Sequence, residues 1–440
     1  MKKYYCIGIK GAGMSTLAQI LSDIGNEVSG YDDDKKPKYT EQGLKKRNIK
    51  IYYDHDHELD PDTIVTYSKA FHEDHQELQR VRKLGLRIVK YNEIIGELVQ
   101  QFSTIAVSGT HGKTTTCSLI SHILTNTIGC NYFIGAGDGY ADKNNNCFVL
   151  EADEYNRHFL AYQPDYAVIT NIELDHTECY KDLDDLKKAF EEFASGVKKK
   201  VIACGDSKTV RSIKYNQEVL FYGFNTDNDL TAKNIVLNET GSSFDVYYQK
   251  EFLAHFKIPL YGEHNILNTL AAIAICLQYK ISIENIYAYL KTFHNAKKRF
   301  SIEEVCGCTF LDDYAHHPTE ITVTLQAVRQ KFPNKRIVAV FLPNTYSRTL
   351  ALRDDFVKAL SSADKVFVTA IHSDRELQEE YPNVSSDLII KEIPDAELIS
   401  EETISKLDNE MDSIVCFMGC ASTTAIRTAY RNRIKEVKGE

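Results

Sequence analysis

The sequence predicts an α/β protein of three domains, each built on a mostly parallel sheet wrapped by helices. Three observations lead there. Short apolar runs alternate with amphipathic helical stretches along the whole chain, the pattern of strand-helix-strand units. Two of the strand-to-helix turns are glycine-rich, GIKGAGMS at residues 8–15 and GTHGKTTT at 109–116. Polar clusters follow later strands, as in EADE, TNIELDH and DDYAHHP. In open α/β sheets ligands bind beyond the carboxyl ends of strands, so such clusters mark one functional edge.

A length of 440 residues fits three domains of roughly 150 residues each. The expected divisions are 1–101, 102–299 and 300–440. Hydrophobic residues at 43% and charged residues at 26% describe an ordinary globular chain. A formal charge of -10 argues against bulk affinity for nucleic acid or an anionic membrane, so anionic ligands need local positive sites. No apolar stretch approaches the roughly 18 residues of a membrane span, and a cytoplasmic protein is expected. Eleven cysteines without C-x-x-C pairs read as reduced, mostly buried thiols. The pairs His55 with His57 and His72 with His75 sit in acidic stretches and read as solvated loop rather than metal sites.

In the first unit YYCIGI is a strand, GAGMSTLAQIL a glycine turn opening a helix, and EVSGYD, TIVTYS and RIVK are further strands. Gly8, Gly11 and Gly13 form G-x-x-G-x-G, a shuffled relative of the dinucleotide fingerprint, with Asp32 about 20 residues on. That suits a Rossmann-like domain with a pyrophosphate on the helix start, although a tight-packing turn would use the same glycines.

The central unit opens with the strand Thr104 to Val107, followed by a helix with Cys117, Leu119, Ile120 and Leu124 on one face. Gly109, Thr110, His111, Gly112, Lys113, Thr114 and Thr115 therefore form a strand-to-helix loop. Unpaired N–H groups, the positive end of a helix dipole and the Lys113 charge suit a polyphosphate there, and Thr114 or Thr115 suits a magnesium ion. The common long form of the phosphate loop would want glycine at Val107, so only the compact form is present. This gives a P-loop ATPase-like parallel sheet. After CFVLEA and DYAVITN come Glu151, Asp153, Glu154, Asn171, Glu173, Asp175 and His176, oxygen and imidazole groups that fit magnesium or manganese beside phosphates. Of these, Glu154 and Asp175 read as caps or surface acids. From Val219 to Leu260 shorter runs such as SFDVYYQ and FLAHFKIPL predict a small antiparallel extension. GEHNILNTLAAIAICLQY then forms a helix that buries Leu267, Leu270, Ala271 and Ala274. His264, Asn265 and Asn268 crowd its first turn, where they cap it or contact a nucleotide base.

The third unit reads as a second Rossmann-like α/β domain, with strands in CTFLDD, RIVAVFL, DKVFVTA and SIVCFMG. Pro318 suits the first turn of a helix. Asp312, Asp313, His316 and His317 lie in the loop before it, two acids and two histidines that packing does not need. Tyr346 and Arg348 occupy the next edge, where Arg348 can grip a carboxylate or phosphate bidentately. Asp374 to Tyr381 reads as a solvated helical stretch.

Such a chain could be a kinase, an ATPase or an ATP-driven ligase. Joining a carboxylate to an amine requires activation, and phosphoryl transfer to the carboxylate supplies a leaving group under lysine and metal control.

GTHGKTTT, EADE, TNIELDH, GEHNILNTLAA, DDYAHHPTEI and PNTYSRT, in this order, resemble the serial signatures of the Mur ligases. The resemblance runs from residue 8 to about Thr349 and is most like the alanine-adding branch. It implies a cytoplasmic enzyme, monomer or homodimer, that adds L-alanine to the lactyl carboxylate of UDP-N-acetylmuramate with ATP and magnesium. It also implies site roles. Lys113 contacts the β- and γ-phosphates within the ATP loop 109–115, and Thr114, Glu151 and His176 bind metal. His264, Asn265, Asn268 and Arg299 approach the nucleotide, and Asp313 and His317 serve nucleotide and phosphoryl handling. Arg348 with Tyr346 holds the amino-acid carboxylate. Gly11, Ala12, Gly13, Met14 and Ser15 lie on the UDP pyrophosphate, with Asp32 and Ser68 completing the substrate set. The pattern departs at Lys10, where the family has glycine and where a lysine could help an anion, and at Asn344, commonly histidine. MGCASTTA also replaces the usual Gly-Ala-Gly-Asp turn. The branch that attaches a ready-made tripeptide to the same sugar, an idle nucleotide-binding relative, and a dehydrogenase reading of the first unit are the alternatives.

Overall fold

The computed structural model describes residues 1–440 except 69, 136, 177, 297, 374, 375 and 440. Its strands form three sheets. The first has the spatial order Lys50–Tyr52, Glu27–Tyr31, Lys3–Ile7, Ile64–Tyr67, Arg87–Ile88, all parallel. Strand order reverses direction on either side of Lys3–Ile7, and the glycine turn at 8–11 emerges from that crevice, the place where such sheets hold ligands.

The second sheet has ten strands. Its parallel centre places Ser103–Ser108 between Tyr166–Ile169 and Cys147–Glu151. At one end Leu230–Asn238, Gly241–Tyr248 and Glu251–Ile258 run antiparallel, as the polar-turn pattern predicts. At the other end Asp138–Tyr140 adds an antiparallel strand that the sequence did not suggest, because three residues carry no readable alternation. The third sheet is parallel from Cys308–Asp313 through Ile414–Met418, Ile337–Phe341 and Lys365–Val368 to Glu397–Leu398. An antiparallel strand, Ser301–Val305, joins it through a tight turn at Cys306 and Gly307, both at positive φ (48° and 82°). That is the geometry of a two-residue hairpin, and glycine at its second position is the local reason.

Both faces of the parallel part of each sheet are covered, as parallel sheets require, whereas the antiparallel end of the central sheet leaves Val236 and Phe252 exposed. The central and first sheets share one apolar layer, in which Leu17, Ile20 and Leu98 meet Phe133, Phe148 and Phe159. The opposite face of the central sheet packs on the helix Glu263–Gln278. That helix is buried nearly all round, from Leu270 to Cys276 without a break. Leu270, Ala271 and Ala274 are buried as expected, whereas Leu267 is only half-buried and borders a cavity.

Two further expectations change. His55 and His57 are packed, not solvated: His55 Nδ1 lies 2.6 Å from buried Glu77, and His57 stacks on Tyr52 at 3.6 Å. Within 374–381, positions 374 and 375 lie outside the described residues, and the rest holds only the short 3-10 turn Gln378–Glu380. No described helix is long and apolar enough to cross a membrane.

Candidate functional site

The phosphate loop is shaped by what surrounds it. Gly109 has φ 137°, and a Cβ there would sit 2.0 Å from Thr170 Oγ1, so only glycine fits. Thr170 Oγ1 donates to the His111 carbonyl (2.6 Å), and His111 N–H donates to Asn171 Oδ1 (2.8 Å). Gly112, at φ 81°, starts the helix Lys113–Thr125, and a Cβ on it would come within 2.7 Å of Asn268 Oδ1. The loop is thus held open on the side where the helix N–H groups point.

Lys113 folds back over this loop. Its Nζ donates to the carbonyls of Gly109 (2.5 Å) and Thr110 (3.1 Å) and to Glu154 Oε1 (3.0 Å). Burial alone would favour the neutral amine, but Glu154 and Asp153 outweigh it and hold Lys113 above its ordinary value, fully charged. Glu154 is therefore a buried counter-ion, not a surface acid. Thr114 Oγ1 meets the Glu151 carboxylate at 3.0 Å and receives a long contact from Arg299 Nη2 at 3.4 Å. His176 lies with Asp153 and Glu154, its Nε2 3.8 Å from Glu154 Oε1. A hydroxyl, several carboxylates and one imidazole along one wall make a donor set that fits a hard divalent cation.

Lys113, Thr114, Glu151, Asp153 and His176 line one cavity of about 330 Å³, together with Gly13 from the first sheet's turn and with Arg348 and Asn344 from the third unit. Arg348 is ion-paired across the unit boundary: its Nε and Nη2 donate to Asp175 Oδ1 at 3.0 and 2.9 Å, and its Nη1 to the Asn344 carbonyl at 2.6 Å. Asp175 is almost completely buried, which corrects its reading as a cap. A second cavity of about 310 Å³ is lined by His264, Asn265, Asn268, Thr115 and Asp313. The two share His111, Gly112, Arg299 and Glu320 as walls. Burial pushes His264 down to about 4, so it faces the second cavity as a neutral ring.

His111 sits between two carboxylates, 3.5 Å from Glu173 and 3.4 Å from Glu320. Burial opposes its charge, yet the two acids raise it to about 9. His317, its ring 4.6 Å away, goes the other way, lowered to about 4 by burial and by His111. Its Nδ1 caps the helix Pro318–Lys331, in a capping box completed by Glu320, and it borders a separate cleft with Glu173 and Lys358.

Several sequence candidates are placed differently. Asp313 lines the second cavity, but its carboxylate also accepts from the backbone of Phe300 and Ala315 (2.7 and 2.8 Å). Asp312, beside it, is turned to Thr423 and Arg427 (2.6 and 3.0 Å) and is structural. In the first turn Gly13 reaches the cavity, under the Tyr91 hydroxyl, while Met14 and Ser15 are buried in the helix packing. Gly11 caps that helix and Ala12 begins it. Asp32 accepts from the backbone of Lys10 (2.9 Å) and Asp34 (3.2 Å), and Ser68 packs against Gly8. Lys10 does not offer its charge to an anion: its Nζ pairs with Glu41 at 2.9 Å and bonds the carbonyls of Asp34 and Lys36. Tyr346 stacks on Tyr381 and does not line the cavity. Sequence reasoning missed Tyr91 and Glu320. The second had a signal, since H-P-T-E places an acid three residues after the cap.

Three family models match in chain order. Residues 3–103 match the Mur ligase family catalytic domain, 107–276 the Mur ligase middle domain, and 298–421 the Mur ligase glutamate ligase domain. A UDP-N-acetylmuramate–L-alanine ligase of Levilactobacillus brevis is 42% identical over 435 residues, 99% of this chain and 98% of that one. The crystal structure of a UDP-N-acetylmuramate-alanine ligase from Thermotoga maritima superposes with TM-score 0.80 at 25% identity, covering 100% of both chains. A murein peptide ligase from Psychrobacter arcticus shares the fold at TM-score 0.74 and 23% identity, over 98% and 99% of the chains. The chain belongs to the Mur ligase family.

Proposed function

We propose that this protein joins L-alanine to the lactyl carboxylate of UDP-N-acetylmuramate, converting ATP to ADP and phosphate through an acyl phosphate, as a step of peptidoglycan precursor synthesis in the cytoplasm. The observation that carries the reading is a cavity on which all three units converge, with Gly13, Lys113 and Arg348 on its walls. A relative of that activity, 42% identical along almost the whole chain, supports it. The units are 1–101, 102–299 and 300–440.

Each residue has a physical task in this reading. The second cavity takes the nucleoside, with Asn268 and neutral His264 at its walls. Lys113 leaves its Glu154 partner for the γ-phosphoryl oxygens and follows the charge that grows there during transfer. Thr114, Glu151 and His176 would hold magnesium, which when bound neutralises phosphate oxygens. Arg348 holds the acceptor carboxylate. Arg299, which touches both cavities, spans nucleotide and reacting phosphate.

The test is phosphate release by purified protein from Mg-ATP with UDP-N-acetylmuramate, comparing L-alanine, glycine, L-serine and the tripeptide L-alanyl-γ-D-glutamyl-meso-diaminopimelate. Release that requires both the sugar nucleotide and L-alanine, with the joined product seen by mass spectrometry, is expected. Release with the tripeptide alone would replace the reading by the recycling activity.

A further inference from the structure

A buried ion pair is a poor source of stability, because taking both charges from water costs as much as their attraction returns. One that forms part of a cavity wall therefore invites another explanation. Arg348 and Asp175 are 11% and 7% exposed and come from different units: Asp175 follows the strand Tyr166–Ile169, and Arg348 lies on the helix Tyr346–Ala351. Their contact is lopsided. Asp175 Oδ1 takes both Arg348 bonds and a third from the His176 backbone N–H at 2.8 Å. Oδ2 takes none of them and lies 3.9 Å from His176 Nε2, beyond hydrogen-bond reach. The wall thus shows a guanidinium and a carboxylate oxygen side by side, on the same cavity as Lys113.

An α-amino acid is the complementary object, a carboxylate and an ammonium separated by one carbon. Resting on the ligase reading above, we propose that the acceptor amino acid docks as a zwitterion across this pair, its carboxylate on Arg348 and its ammonium on Asp175. Asp175 is then a substrate-binding residue that selects α-amino acids over simple carboxylates. The arrangement brings the acceptor nitrogen next to His176 and hence to the wall where the phosphates and the activated carboxylate meet. Ala351, Leu352 and Cys420 line the same cavity and offer surface for a small side chain, among the polar neighbours Glu178 and His316.

The experiment compares two acceptors and one competitor on the whole protein. Hydroxylamine traps an acyl phosphate as a hydroxamate without using an amino-acid site, and propionate carries the carboxylate of alanine but no ammonium. Wild type should form hydroxamate and should bind propionate far more weakly than L-alanine. Asp175→Asn should raise KM for L-alanine by about 30-fold or more, the usual scale for losing one partner of a buried charge pair. Its inhibition constant for propionate should not weaken, the pattern of a lost ammonium contact alone, with the variant's own hydroxamate rate as the reference for the enzyme still competent in acyl-phosphate formation. Parallel weakening of L-alanine and propionate would overturn the proposal, because Asp175 would then only position Arg348. An unchanged KM for L-alanine would overturn it too. If Asp175→Asn makes no hydroxamate, Asp175→Glu is read by the same two ratios. Wild-type protein that binds propionate as tightly as L-alanine overturns the proposal without any variant. Absence of hydroxamate from wild type would instead reject the ligase reading itself.

Discussion

Lys10 and Lys113 stand in the same local setting, a lysine inside a glycine turn where a central parallel strand gives way to a helix. Both are paired with a buried carboxylate and with backbone carbonyls. Their roles are opposite. The Nζ of Lys10 bonds Glu41 and the carbonyls of Asp34 and Lys36, in the segment 34–41 that folds over the turn, and lies over the Tyr53 ring, so the charge is consumed in closing the first unit. Lys113 borders the cavity, and its carboxylate partner follows the strand Cys147–Glu151 at the ligand edge of the sheet. A phosphate arriving there finds a lysine held in place by a weaker version of itself. The comparison teaches that a glycine-lysine turn reports a possible anion site, and that the origin of the counter-ion decides whether it is one.

The largest test of this contrast is Lys10→Ala. It strips two carbonyls of their donor and leaves Glu41 to exposed Lys45 alone (2.8 Å), and breaking one side of a buried pair costs up to about 3–5 kcal/mol. Denaturant unfolding should show that loss, with KM for ATP and for the sugar nucleotide unchanged in the folded fraction. A shifted KM for the sugar nucleotide at normal stability would break the comparison and return Lys10 to anion binding. Lys113→Ala should have the reverse signature, a loss of about 2.7–4 kcal/mol of transition-state stabilisation, by analogy with removing one preorganised donor. Near-normal turnover would remove Lys113 from the chemistry.

The phosphate loop also differs from the first turn in carrying a titratable contact. His111, raised to about 9 between Glu173 and Glu320, is charged in the folded protein over a range where an unfolded histidine is neutral. A group with a raised folded value adds stability that is full below about pH 6.5 and fades as pH rises through 9. The span from 6.5 to 9 corresponds to at most about 3 kcal/mol. Unfolding free energy should fall across that window, and His111→Asn should flatten the slope; an unchanged slope would show that His111 is already neutral at pH 7.

Much of this was legible in the sequence. Strand and helix alternation located the three sheets, because apolar runs ending at glycine or at acidic clusters are set by local chemistry. Runs of adjacent acids were the weak point. In EADE and in DDYAHHP neighbouring carboxylates face different directions, and only the fold reveals that Glu154 meets Lys113 while Asp312 meets Arg427. Lys10 was illegible for a related reason: its partners, from Asp34 to Tyr53, lie 24 to 43 positions away, beyond any motif window. The edge strand Ser301–Val305 was missed even though the Cys306-Gly307 turn announced a hairpin.

The smallest expected effect concerns Tyr346, which the sequence grouped with Arg348. The two residues open the same helix, Tyr346–Ala351. Positions two apart on a helix do not face the same side. If Arg348 faces the cavity and Asp175, Tyr346 must face away, and it does, its ring stacked at 5.9 Å and 15° on Tyr381. Removing its hydroxyl therefore takes nothing from the acceptor site. Tyr346→Phe should leave KM for L-alanine unchanged and stability within about 0.5 kcal/mol, the range of surface substitutions that touch no special feature. A several-fold rise in KM for L-alanine would mean that this helix turns when the acceptor binds, and Arg348 would then leave Asp175 to do it.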